Sequence, residues 1–148
     1  MFKDIATLLG LDGLLRPRTY ADQNFAVVGP LVVYEHNTRL CWQRRGSGFT
    51  LDWQQAKDYI RHLNGSNWQG CNTWRLPTLE EVRTVLMPPR HGLSCPDLPL
   101  FDASLHWLWT SDHCTKKQAW MADVVESFFD RLDMDGVASV CAVRSDSP

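Results

Sequence analysis

The sequence predicts an α+β fold. Two capping boxes carry the helical part: Asp52 with Gln55 and Thr78 with Glu81 stand three residues apart, each ahead of a stretch with helical apolar period. Runs of β-prone residues at 24–28, 31–35 and 39–44, parted by Gly29-Pro30 and His36-Asn37-Thr38, carry the strand part. The third observation is Trp74-Arg75-Leu76-Pro77, an extended approach that runs straight into the second cap, because proline biases its predecessor away from helix.

Phe2, Ile5, Leu8 and Leu9 recur at helical spacing, and Gly10 or Gly13 can end the turn. Arg16-Pro17-Arg18 then reads as a linker, so the chain divides into a helix and linker over 1–20 and a domain over 21–148. So short a helix is not stable alone. It either docks on the domain and covers an edge, or makes a dimer or partner contact. The three β-prone runs predict a meander. Gly46-Ser47-Gly48 is a loop, and Trp53, Ala56, Tyr59, Ile60 and Leu63 form the apolar stripe of the next helix. Asn64-Gly65-Ser66-Asn67 closes that helix. Trp68 follows in polar surroundings and is expected to be the exposed tryptophan.

Trp74 and Leu76 alternate with Arg75, which is expected to pair with Glu80 or Glu81 and pin the corner. Pro77, Thr78 and Glu81 complete that structural set. The helix runs through Leu79, Val82, Val85 and Leu86 and stops at Met87-Pro88-Pro89. Residues 87–104 hold four prolines and little period, and a loop of that length is usually functional or specially tied down. A strand around Trp107 and Trp109 and a polar loop over 112–118 follow. Over 119–132, Met121, Val124, Val125, Phe128, Phe129 and Leu132 fit a helix by period, whereas the β-rich content fits two strands broken near Glu126. Residues 133–136 form a turn and 137–144 a terminal strand.

The 148 residues are enough for one domain. A net charge of −2 argues against a general nucleic-acid binder, which needs a basic face, and leaves only a local patch open. No apolar run is long enough to cross a membrane, and the first fifteen residues lack the pattern of a leader, so the expectation is a cytoplasmic protein. The five cysteines are odd in number and include no C-x-x-C pair. No cofactor is expected. Zinc held by Cys71, His91, Cys95 and Cys114 is one alternative, although the spacing matches no standard finger. Calcium held by Asp123, Glu126, Asp130, Asp133 and Asp135 is another, although no EF-hand spacing is present. Ser111, Asp112 and His113 are triad residue types, but sequence neighbours rarely face one another as a triad requires.

Several stretches together resemble the Lcl C-terminal domain family, a branch of the C-type-lectin-like fold. They are Asn37-Thr38-Arg39-Leu40-Cys41-Trp42-Gln43, Asp52-Trp53-Gln54-Gln55-Ala56, Leu63-Asn64 and Trp74-Arg75-Leu76-Pro77-Thr78 with Glu80-Glu81. Trp109-Thr110-Ser111, Ala119-Trp120 and Val140-Cys141-Ala142-Val143-Arg144 complete the set. The resemblance implies two helices packed on a twisted antiparallel sheet with the chain ends close together. It also implies a strand from Ala119 to Val124, against the helical period, and the strand is the expectation adopted. Family members often carry a cysteine in the first helix that could pair with the terminal one; here that position is Ile60, so Cys141 is expected to lack this partner. The related formylglycine-generating enzymes use a closely spaced cysteine pair that this sequence does not reproduce, so their activity does not carry over.

The functional expectation is a non-enzymatic recognition domain. It would bind a protein partner, a second copy or a glycan through loops 87–106 and 112–118 and adjacent strands. The candidate contacts are Trp68, His106, Trp107, Asp112, His113 and Trp120, because aromatic side chains stack on sugars or anchor partners. The alternative is a metal-binding enzyme or redox sensor using Cys71, Cys95, Cys114 and the nearby histidines.

Overall fold

Both capping boxes form as the spacing requires. In the computed structural model, which describes residues 2–22, 24–87 and 105–145, Asp52 accepts from the Gln55 N–H at 2.8 Å and the Gln55 side chain accepts from the Asp52 N–H at 2.9 Å. This reciprocal pair opens α2, Trp53–Gly65. Thr78 and Glu81 do the same for α3, Leu79–Val85. The N-terminal helix α1 spans Phe2–Leu9 and ends at Gly10, whose φ of +64° suits a residue without Cβ.

The fold is α+β, with its strands divided between two antiparallel sheets rather than gathered in one. The first has the order β1-β2-β3-β7, from Phe25–Val27, Val32–Glu35, Leu40–Gln43 and Val143–Ser145. The first and last strands thus flank one sheet, three strand spacings or about 14 Å apart. The second sheet is β4-β5-β6, from Trp107–His113, Gln118–Asp123 and Phe128–Asp133. The stretch 119–132 is therefore two strands broken at 124–127. The helical period misleads because β5 is buried almost throughout, so it shows no inside-outside alternation.

The terminal segment joins the sheets. Ser139 bonds to both Trp107 and Trp109 of β4, Gln43 of β3 donates to Ala142, and Arg75 and Val143 exchange both backbone bonds. The expected continuous strand over 137–144 is instead a set of single bridges followed by β7. Gly46 and Ser47 clasp the same segment: the Ser47 N–H donates to the Val140 carbonyl at 2.8 Å, and the Val140 N–H donates to Ser47 Oγ at 3.1 Å. A Cβ on Gly46 would stand 2.6 Å from the Val140 carbonyl oxygen, closer than real side chains come.

The main core gathers Val33, Leu40 and Trp42 from the first sheet, Leu108, Trp120, Ala122 and Phe129 from the second, and Leu79, Val82 and Val85 from α3. Ile5, Ala6 and Leu9 of α1 pack against it. The N-terminal helix thus docks on the domain, the first of the two roles weighed from sequence. Cys141 is fully buried and its thiol donates to the Gln43 carbonyl at 2.6 Å; burial pushes that thiol far up from its ordinary range. It carries no disulfide, in line with the expectation set by Ile60. Among the described residues no helix is long and apolar enough to cross a membrane.

Candidate functional site

The corner at Trp74 fixes where α3 begins. Asn64, near the end of α2, grips the Trp74 backbone from both sides: its Nδ2 donates to the Trp74 carbonyl at 2.9 Å, and its Oδ1 accepts from the Trp74 N–H at 2.8 Å. The Trp74 indole donates to the Trp68 carbonyl at 3.0 Å, and the two rings meet edge to face at 5.1 Å. Trp68 is therefore half-buried against Trp74, not the exposed tryptophan its polar neighbours predict.

Arg75 makes the predicted structural pair. Its guanidinium forks onto both oxygens of Glu81 at 2.6 Å each. Burial pushes the Glu81 carboxyl up, but the Arg75 guanidinium and the Thr78 N–H and hydroxyl outweigh it and hold the carboxyl below its ordinary range. The same Glu81 thus caps α3 and anchors Arg75. Pro77, buried, offers its carbonyl to the Ser111 N–H at 2.8 Å and ties the corner to β4.

Strand β4 carries four of the six candidate contacts at its two ends. His106, just before it, and Trp107 meet at Asp123: His106 Nε2 stands 3.0 Å from Asp123 Oδ2, and the Trp107 indole donates to the same oxygen at 3.1 Å. Asp123 Oδ1 accepts from the N–H groups of Val125 and Glu126 at 3.0 and 2.8 Å, which shapes the β5–β6 turn. The Trp107 ring remains 43% exposed.

The other end of β4 was expected to be a loop from residue 112, yet the strand continues through His113. A shift of register between Trp109 and His113 turns this end. Asp112 Oδ2 accepts from the Leu79 N–H at 2.6 Å, an open donor of the first turn of α3. His113, exposed, sets its ring edge-on to Trp53 at 5.2 Å. Ser111, Asp112 and His113 lie consecutively on an extended strand, so each meets a different partner.

A groove of about 450 Å³ opens at this end. Ile5, Leu8 and Leu9 of α1 form one wall; Thr78, Leu79 and Glu80 at the start of α3, with Asp112 and His113, form the other. Leu8 is 82% exposed. No signal in the sequence joined α1 to Asp112, because they are a hundred residues apart and meet only through packing.

The remaining candidates fall elsewhere. Trp120 is buried in the main core on the central strand β5, away from any surface. Loop residues 88–104, with Cys95 and His91, lie outside the described residues. Cys71 packs with the Trp74 cluster and Cys114 with the main core. The acidic residues are likewise dispersed: Asp123 serves the turn, Asp130 accepts from the Arg131 N–H, and Asp133 accepts from the Gln118 side chain. Among the described residues no three His, Cys, Asp or Glu side chains gather as a metal site.

A comparison with curated proteins finds no match. The family model for the Lcl C-terminal domain matches residues 31–144, which contain both capping boxes, the Trp74 corner and the clasped terminal segment. The chain belongs to the Lcl C-terminal domain family.

Proposed function

We propose that this is a recognition domain without catalytic activity, and that its partner is a protein segment bearing leucine-like and basic side chains. The observation that supports this reading is the groove at the α1–α3–β4 junction. Its apolar wall, with Leu8 exposed, faces the carboxylates of Glu80 and Asp112. An apolar side chain laid against Ile5, Leu8 and Leu9 leaves water, and a neighbouring lysine or arginine meets negative charge.

The test compares affinity capture by the wild-type protein with capture by Leu8→Asp and Glu80→Lys. Leu8 is exposed, so its change is expected to leave stability within about 0.5 kcal/mol. Loss of the same captured protein in both variants, with restoration by a charge-reversed partner against Glu80→Lys, is the expected result. Unchanged capture by both variants rejects the groove. The exposed Trp107 ring supports a second reading, stacking on a sugar, which a glycan panel with Trp107→Ala tests directly.

A further inference from the structure

Three of the four sheet edges are occupied. At β7, Val143 exchanges both backbone bonds with Arg75. On the outer side of β4, Ser139 bonds to Trp107 and Trp109, and the Pro77 carbonyl accepts from the Ser111 N–H. On the outer side of β6, the Leu15 carbonyl accepts from the Phe129 N–H, and the Asp130 side chain accepts from the Arg131 N–H. β1 differs. Val28 N–H donates to the Val32 carbonyl and His36 N–H to the Asn24 carbonyl, with Ala26 opposite Tyr34 between them. Residues 24, 26 and 28 therefore face β2, and Phe25 and Val27 turn their N–H and carbonyl groups outward. Among the described residues nothing bonds to those outward groups. Nor does the stretch from Phe25 to Val28 carry a charge, a proline or a bulge, the usual guards of an edge. Val27 pairs with Val33, and Val33 with Trp42, so all three point to the face that bears the main core. Val33 and Trp42 are fully buried there, whereas Val27 is 59% exposed, because the sheet ends at β1.

We propose that β1 is a dimerisation edge, and that its occupant is β1 of a second copy, antiparallel across a two-fold axis at Ala26. Turning the strand about Ala26 sets Phe25 against Val27 of the second copy, and Val27 against Phe25 of the second copy. Both residues face outward, so each N–H meets a carbonyl and every outward group of β1 is used, as a self-complementary contact requires. A register centred on Phe25 or on Val27 leaves the other residue without a counterpart within the strand. In the arrangement about Ala26, Phe25 of the second copy also lies beside Val27 on the core face, and covers the valine that a single chain leaves in water. The sheet then runs on from one copy into the other. No segment leaves its place, and the contacts formed are ones that a single chain lacks. This inference does not depend on the partner proposed for the α1–α3–β4 groove.

The experiment is sedimentation equilibrium on the full-length chain from about 1 μM to about 1 mM. Wild type is expected to pass from monomer to dimer across that range. Val27→Pro removes an outward N–H and no bond to β2, a position where edge strands tolerate proline. It is expected to weaken dimerisation at least about tenfold, with the near-UV tryptophan signal unchanged. Ala26→Cys sets one thiol from each copy at the axis, where non-bonded neighbours stand close. Glutathione disulfide then oxidises the two thiols to a disulfide and leaves as two glutathione thiols. Peptide mapping is expected to find that crosslink through position 26. A wild-type chain that stays monomeric to the top of the range overturns the proposal. So does a folded Val27→Pro that dimerises within about tenfold of wild type. Should Val27→Pro not fold, the crosslink decides, and a dimer of Ala26→Cys with no bond through position 26 overturns it.

Discussion

The two ends of β4 are built from similar residue types and put to opposite uses. Each has an aspartate, a histidine and a nearby tryptophan. At the first end the buried Asp123 carboxylate is taken up by internal donors, from the Trp107 indole, from two turn N–H groups and from His106. At the second end Asp112 spends one oxygen on the first turn of α3, and the surroundings open into the groove against α1. The lesson is that a cluster of polar and aromatic residues says little until its hydrogen bonds are assigned. A carboxylate surrounded by internal donors holds a fold, and one at the rim of an apolar groove is the one that a partner would meet under the recognition reading proposed above.

The comparison breaks if the two aspartates prove equivalent. Asp123→Ala leaves the half-exposed Trp107 indole and two turn amides without their acceptor, and the expected loss of stability is about 2 kcal/mol, read from urea denaturation. A loss below that of Asp112→Ala reverses the assignment.

Acid probes the groove end next. Burial pushes the carboxyls of Glu81 and Glu35 up, but their hydrogen bonds and, for Glu81, the Arg75 guanidinium outweigh it, so both titrate below the ordinary value of 4.5. Since the folded value lies below the unfolded one, the stability they contribute is present above pH 4.5 and is lost as pH falls through the folded value. Urea midpoints are therefore expected to fall below that pH, and Glu81→Gln is expected to flatten part of the fall. The part that persists belongs to Glu35, which accepts from the N–H groups of Asn24 and Thr38, and to Asp12, held low by the Arg16 and Leu14 N–H groups.

The smallest effect is expected from Asp112→Ala. It removes one bond to a helix N-terminus, a loss of about 1 kcal/mol. If the groove is the recognition surface, the same change lowers affinity for a basic partner by more than its effect on stability would suggest, which calorimetry on the captured partner can measure.

What the sequence disclosed is what short-range chemistry controls. The capping boxes at Asp52 and Thr78 are three-residue patterns, and Arg75 lies close enough in sequence to narrow its partner to Glu80 or Glu81, of which the structure selects Glu81. Long-range packing escaped. The Trp68 neighbours are polar, but its ring and carbonyl answer to Trp74 across the end of α2. Trp120 resembles any other aromatic contact until β5 is known to be the middle strand of its sheet. Residues 119–132 carry a helical period by coincidence: the turn over 124–127 resets the phase between two strands, and the family resemblance decided for the strands that the β-rich content also allowed. The groove was least legible, since one wall comes from a helix that sequence alone left without an address.

The close approach of Gly46 to the Val140 carbonyl has a bearing on how this family diverges. The clasp joins an early loop to the final stretch of chain, and it leaves no room for a methyl group whatever the domain recognises. Rim residues of the groove lie apart from this contact, so they could change between relatives while this position stayed fixed. A glycine retained here across otherwise dissimilar relatives would mark the seam that keeps the scaffold shut, and would be a poor guide to any function they share.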